Sequence, residues 1–263
     1  MTQPSGQSFS PTTSRTAPHT QMLDMTYTAL VMQRALYAAA KLGIADCLQD
    51  DEGGSDEIAQ VTGTQPEALY RLLRVLATGG VLVESADRRF RLTALGATLR
   101  SDLPGSMRDW VVFSGEPFYL QAWEEILHSI KTGEAAWQKV NERPWFGWLG
   151  RQPDAAAIFD AAMTSLSAWE GPAIVAAYDF SPFRCIVDVG GGHGTLLAAI
   201  LTTNPGLQGV LYDQAQKLEE DRARINPMQL TRDIDRALHQ LWDLAVYPPY
   251  GAAARPSSTR DAG

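Results

Sequence analysis

Two domains of different class are predicted for this 263-residue chain: a helical N-terminal domain in winged-helix order, then an incomplete α/β domain in Rossmann-like order. Three stretches carry the prediction. Residues 185–189 are short, apolar and β-branched, and run into Gly190, Gly191, Gly192 and Gly194 before an apolar helical run at 196–201. Strand, glycine turn and helix is how a doubly wound sheet opens. Residues 55–92 read as helix, turn, helix and hairpin. Residues 21–48 read as a helix apolar on more than one face. The expected division is a disordered tail over 1–20, the winged-helix domain over 21–103, a helical connector and pocket wall over 104–180, a partial Rossmann-like domain over 181–245, and a second disordered tail over 246–263.

Residues 1–20 are rich in Ser, Thr and Pro and have no apolar core, which is the composition of a disordered tail rather than a signal peptide. The helix over 21–48, broken at Gly43, carries Leu23, Met25, Leu30, Leu36 and Tyr37 around its circumference. Such a helix is buried on several sides, either against a partner subunit or as an internal core helix. Ser55 is expected to cap a helix with Asp56 and Glu57 in its first turn. Thr64 is expected to cap a second one, over 66–78, with Glu67 at capping-box spacing and Gly79-Gly80 at its end. Strands at 81–85 and 89–92 then form a hairpin. A winged helix raises the question of DNA. The cations available are Arg71 and Arg74 on the second helix and Arg88, Arg89 and Arg91 on the wing. The formal net charge is -8, so no nucleic-acid partner is expected and the arginines read as solvated or salt-bridged.

A short helix and exit loop are expected over 93–103. From Gly105 onward aromatic residues accumulate: Trp110, Phe113, Phe118, Tyr119, Trp123, Trp137, Trp145, Phe146 and Trp148. Helices are predicted at 107–112, 119–132, 154–168 and 173–178. The aromatics read either as ordinary helix packing or as the wall of a pocket for a flat substrate. Phe159 and Met163, four apart on one helical face, are the candidate substrate contacts, with Trp148 beside them.

The glycine loop is the informative motif. Asp188, Gly190, Gly192 and Gly194 form D-x-G-x-G-x-G, the spacing of the nucleoside-methionine loop of S-adenosylmethionine (SAM) methyltransferases. G-x-G-x-x-G would suit a dinucleotide, but the required position is Thr195. The glycines allow sharp turns and close backbone approach, and Asp188 is placed to take the ammonium of the ligand, directly or through water. Asp213, at the tip of a second strand over 209–213, is the acid expected to hold the ribose hydroxyls. The cofactor-binding set is therefore Asp188, Gly190, Gly191, Gly192, Gly194 and Asp213.

Cys47 and Cys185 lie in apolar settings and read as buried free thiols. No metal motif, nucleophile elbow or membrane-spanning run occurs, so the protein is expected to be cytoplasmic and metal-free.

The order of these features resembles the dimeric small-molecule O-methyltransferases, which include the plant caffeic-acid type, the hydroxyindole type and bacterial polyketide tailoring enzymes. The resemblance rests on Leu36 to Asp46, Leu69 to Leu76, Phe159 to Met163, Val187 to Gly194 and Leu211 to Asp213. It implies a homodimer built through the N-terminal domain and SAM bound in the second. It also implies metal-free methyl transfer to a hydroxyl of an aromatic or polyketide-like acceptor, by in-line attack on the methyl. The family also has a seven-stranded sheet, an acidic adenine loop and a His general base. After Asp213 no third strand is evident; 217–245 reads as charged helix. His239 resembles the family base only faintly and out of register, which leaves the catalytic residue unknown. The chain thus reads as C-terminally truncated with doubtful activity. Two rival readings stand beside the enzyme: an inactive dimerisation module pairing with itself or a full-length relative, and a winged-helix DNA-binding regulator that senses a small ligand.

Overall fold

The structure, a computed structural model, describes residues 17–49 and 51–213. The chain divides into two compact units, 1–169 and 170–263. The dividing point lies within a helix that runs from Pro153 to Ala177. His239 and the 217–245 segment lie outside the described residues.

The first unit opens with helix α1 (Pro18–Leu23), a π-helical turn (Asp24–Thr28) and α2 (Ala29–Leu42). The helix therefore begins inside the stretch expected to be tail, with Pro18 at a position where a missing N–H costs nothing. It stops at Gly43, whose φ of 68° is open to glycine, and α3 (Ile44–Leu48) continues after the break. Next come the two-residue strand β1 (Gly53–Gly54) and α4 (Ser55–Thr62). The cap of α4 is not Ser55, which is buried in its first turn. It is Gly54, whose N–H donates to Glu57 Oε2 at 2.8 Å. Helix α5 (Pro66–Thr78) is likewise capped one residue later than Thr64, by Gln65, whose Oε1 accepts from the Ala68 N–H at 2.6 Å. Glu67 is free for another partner because the capping box does not form.

Strands β2 (Leu82–Glu84) and β3 (Arg89–Leu92) flank a 3-10 turn (Ala86–Arg88), and β1 adds on the far side in the antiparallel order β1-β3-β2. Helix, turn, helix and hairpin are thus all present. Leu69, Leu73 and Leu76, at the i, i+4, i+7 spacing of one helical face, pack with Ile44, Leu48 and Phe90 in the core. Two of the three hairpin arginines, Arg88 and Arg89, are engaged within the fold. Arg88 makes a two-pronged contact with Glu67 at 2.8 and 2.9 Å over the Tyr70 ring, and Arg89 meets Glu57 at 3.5 Å.

Short α6 (Ala94–Ala97), capped by Thr93, leads to α7 (Arg108–Gly115), α8 (Pro117–Glu124), α9 (Ile126–Thr132), α10 (Ala136–Asn141) and α11 (Trp145–Leu149). The helix predicted over 119–132 is two helices, divided at Glu125. The two predicted beyond 153 are one, α12 (Pro153–Ala177), which accommodates Pro172 inside it. Helix α2 is tied to the end of α7 by Gln33 and Arg34, which donate to the Ser114 and Gly115 carbonyls, and by the Lys41–Glu116 ion pair at 2.8 Å. Among the described residues no helix is long and apolar enough to cross a membrane.

In the second unit β4 (Cys185–Val189), α13 (Thr195–Thr203) and β5 (Gln208–Tyr212) form one βαβ unit. The strands pair in parallel from Cys185↔Gln208 to Val189↔Tyr212. Leu197, Ile200 and Leu211 bury the face beneath α13. β4 is not the buried strand its composition predicts: Cys185 and Val189 are exposed, because one sheet face has no cover among the described residues. The expectation of a buried Cys185 thiol fails for the same reason, while Cys47 is part-buried.

Candidate cofactor-binding site

The site begins where β4 ends. Gly190 N–H donates to the Tyr212 carbonyl at 2.7 Å, so the ladder holds until the chain must turn. The turn uses glycines at φ 76° (Gly190), 54° (Gly192) and 69° (Gly194), a region that carries a steric penalty for other residues. Around Gly190 and Gly192 the space a Cβ would occupy is open, so the backbone itself faces outward. Gly191 is different. A Cβ there would collide with the Asp188 carboxylate and a Leu211 methyl, so the loop is closely packed against both strand ends. The Gly194 N–H closes the loop on the Gly191 carbonyl at 2.8 Å, and α13 starts from this point.

The two predicted acids come together here. Asp188 sits on β4 beside Leu211 of β5, one residue pair from the strand ends. Asp213 follows β5 directly, and its Oδ2 accepts from the Gly192 N–H at 2.8 Å. That bond ties the second acid to the loop, and no motif spacing announces it. Burial, followed by the like charge of Asp213, pushes the Asp188 carboxyl above its usual range. Two carboxylates beside an outward-facing glycine backbone make a pocket edge that favours a cation and offers acceptors for hydroxyl groups. An amino-acid ammonium, a sulfonium and a ribose diol, the groups SAM carries, match that donor and acceptor set. All six predicted cofactor residues, Asp188, Gly190, Gly191, Gly192, Gly194 and Asp213, lie on these two adjacent strand ends and the glycine loop.

The predicted substrate residues lie in the first unit. Phe159 and Met163 are both half-buried on α12. Phe159 stands edge-on to Phe113, Trp145 and Phe146, at 5.6, 5.4 and 6.2 Å between ring centroids. Trp148 stacks on Trp145 and meets Phe118 and Trp137. Trp145 and Phe113 thus have closer roles in the cluster than sequence spacing assigned them. The aromatic density from Trp110 onward was the available signal.

Two family models match: an O-methyltransferase dimerisation domain over 25–102 and an O-methyltransferase domain over 123–241. The chain belongs to the O-methyltransferase family. Among O-methyltransferase relatives, the phenazine O-methyltransferase PhzM of Lysobacter antibioticus is 40% identical over 197 residues, covering 75% of this chain and 58% of its own length. An aclacinomycin 10-hydroxylase of Streptomyces purpurascens, RdmB, is 36% identical over 74% of this chain and 53% of its own. The structure of CalO1, a methyltransferase of calicheamicin biosynthesis in its SAH-bound form, aligns with a TM-score of 0.67 at 32% identity, over 82% of this chain and 64% of that one. The chain therefore spans less than two thirds of the length of these relatives.

Proposed function

We propose that this chain is a SAM-dependent O-methyltransferase acting on a hydroxyl of a small aromatic or polyketide-like molecule, as a homodimer joined through its N-terminal domain. The observation that carries the reading is the pairing of Asp188 and Asp213 across the glycine loop, tied by the Gly192 N–H. SAM, when bound, supplies a methyl group on a positively charged sulfur. On this reading Asp188 holds the ammonium, Asp213 accepts from the ribose hydroxyls, and the backbone of Gly190 and Gly192 lets the ligand approach without side chains in the way. The helix N-terminus after Gly194 favours the ligand carboxylate.

Phe159, Met163 and Trp148 are proposed to hold the acceptor. Their rings and thioether suit a flat apolar body. Names among the relatives support an acceptor of this kind, since they include a phenazine O-methyltransferase and a 6-O-methyltransferase of mitomycin biosynthesis. One relative bears the name of a hydroxylase, so activity is best followed as methyl incorporation.

Calorimetric titration of the purified chain with SAM and with its demethylated product tests the cofactor half of the proposal. Saturable binding that Asp213→Ala abolishes is the expected result. A folded protein that gives no heat at high ligand concentration would overturn it.

A further inference from the structure

The N-terminal domain holds a cleft whose lining belongs neither to the glycine loop nor to the aromatic cluster. Its volume is about 300 Å³, at the lower end of the range that small-molecule sites occupy. Gln49 and Asp51 line it from the loop after α3, and Arg91 and Leu92 from β3. Ala97 and Arg100 line it from the end of α6 and the residues that follow.

Two charges in this cleft are uncommitted. Arg88 and Arg89 of the same hairpin are paired with Glu67 and Glu57, and Arg100 is held by Asp102 in a two-pronged contact at 2.9 and 2.7 Å. Arg91 makes no ion pair or side-chain hydrogen bond among the described residues, and neither does the Asp51 carboxylate. Opposite charges that line one cleft, yet stand beyond ion-pair distance of each other, complement a ligand that carries both signs. Fixed backbone holds them there. Arg91 lies in the β2–β3 ladder opposite Val83. The Asp51 N–H donates to the Leu48 carbonyl at 2.8 Å, after a turn in which Gln49 takes a φ of 36°. That conformation is costly for a residue with a Cβ, and such strain gathers where a site needs a side chain in one place. Leu92 and Ala97 add apolar surface for the body of the ligand.

We propose that this cleft binds a small aliphatic amino acid, with its carboxylate on Arg91, its ammonium on Asp51 and its side chain against Leu92 and Ala97. The guanidinium fork suits a carboxylate in particular. All the lining residues fall within the dimerisation-domain match and none within the glycine loop, so the proposal holds whether or not the chain binds SAM.

In calorimetric titration of the full chain, L-leucine should bind saturably at millimolar concentration or below. Isocaproate, which lacks the ammonium, and isoamylamine, which lacks the carboxylate, should each bind about tenfold or more weaker. Arg91→Ala and Asp51→Asn should each weaken L-leucine by about the same factor. Both variants should melt with the parent, because both side chains stand exposed at the rim. SAM should not displace L-leucine. A folded parent that shows no saturable binding of L-leucine would overturn the proposal. So would equal binding by the parent and Arg91→Ala; if SAM then displaces the L-leucine, the amino acid belongs to the glycine loop instead.

Discussion

At the level of single residues, the loop holds two positions whose chemistry can be separated. Gly191 has no room for a side chain, because the Asp188 carboxylate and Leu211 fill the space. Gly191→Ala is expected to cost about 1–3 kcal/mol of stability through overpacking. It should also weaken SAM binding by displacing Asp188; thermal denaturation and calorimetry check the two effects. Asp188 poses a question of charge. Its carboxyl is raised by burial and by Asp213, so the folded state holds the proton more tightly than the unfolded chain. Such a group costs nothing below its unfolded pKa and costs stability increasingly as the pH climbs through the folded value. Asp188→Asn removes the charge and keeps the shape. The ligand-free variant should melt higher than the parent at about pH 7 and level with it at about pH 3, where the Asp188 carboxyl is neutral. SAM affinity should fall by about tenfold or more, because the cation loses its charged partner. A melting difference that does not vary with pH would show that the side chain acts through packing alone.

Between elements, the join of α2 to the α7–α8 corner is where one side chain holds most. Glu116 is 8% exposed; it accepts from Lys41 Nζ at 2.8 Å and from the Tyr37 hydroxyl at 3.3 Å. The bond to Glu116 also holds the Lys41 amine above its ordinary pKa, outweighing its partial desolvation. Glu116→Ala should cost about 1–3 kcal/mol in urea denaturation, since the Tyr37 hydroxyl loses its acceptor and the corner its tie. Glu67→Gln, which breaks an ion pair on the open surface, should leave stability within experimental scatter. What the sequence revealed about the elements follows from how local each signal is. The stop at Gly43, the β4 strand, the glycine loop and the acid after β5 are written in a few adjacent residues, and they appear where expected. The joining of 153–177 through Pro172 and the small aromatic helices at 136–141 and 145–149 depend on contacts made by distant residues. β1 is two glycines and has no pattern at all; its pairing with Phe90 and Arg89 defines it. The site divides the same way. Spacing identified Asp188 and Asp213, but the Gly192–Asp213 bond exists only once β4 and β5 lie side by side. Trp148 was placed beside Phe159, whereas the ring stacked on Trp148 and edge-on to Phe159 is Trp145.

For the molecule as a whole, the decisive quantity is the apolar surface that α1, the π-turn and the start of α2 leave open. Met22, Leu23, Met25, Tyr27 and Leu30 are each more than 60% exposed, on a segment that makes few contacts with the rest of its unit. A helix of this length gains little stability in water by itself, so packing must supply it. Burying side chains of this size is worth about 1.5–3 kcal/mol each, and a two-fold interface counts every one twice. That sum exceeds the roughly 4–15 kcal/mol that association costs in lost freedom. The match of 25–102 to a dimerisation domain begins within this stretch. The chain should therefore run in light scattering at twice its 28.7 kDa mass. Met25→Asp with Leu30→Asp should shift it to the monomer and expose the N-terminal helix to proteolysis. High salt should leave the dimer intact, because the exposed side chains of this segment are apolar and Arg88 and Arg89 are already paired within the fold. A wild-type chain that scatters as a monomer at all concentrations would mean that this surface is covered from within the chain, and the helix would then resist protease in both forms.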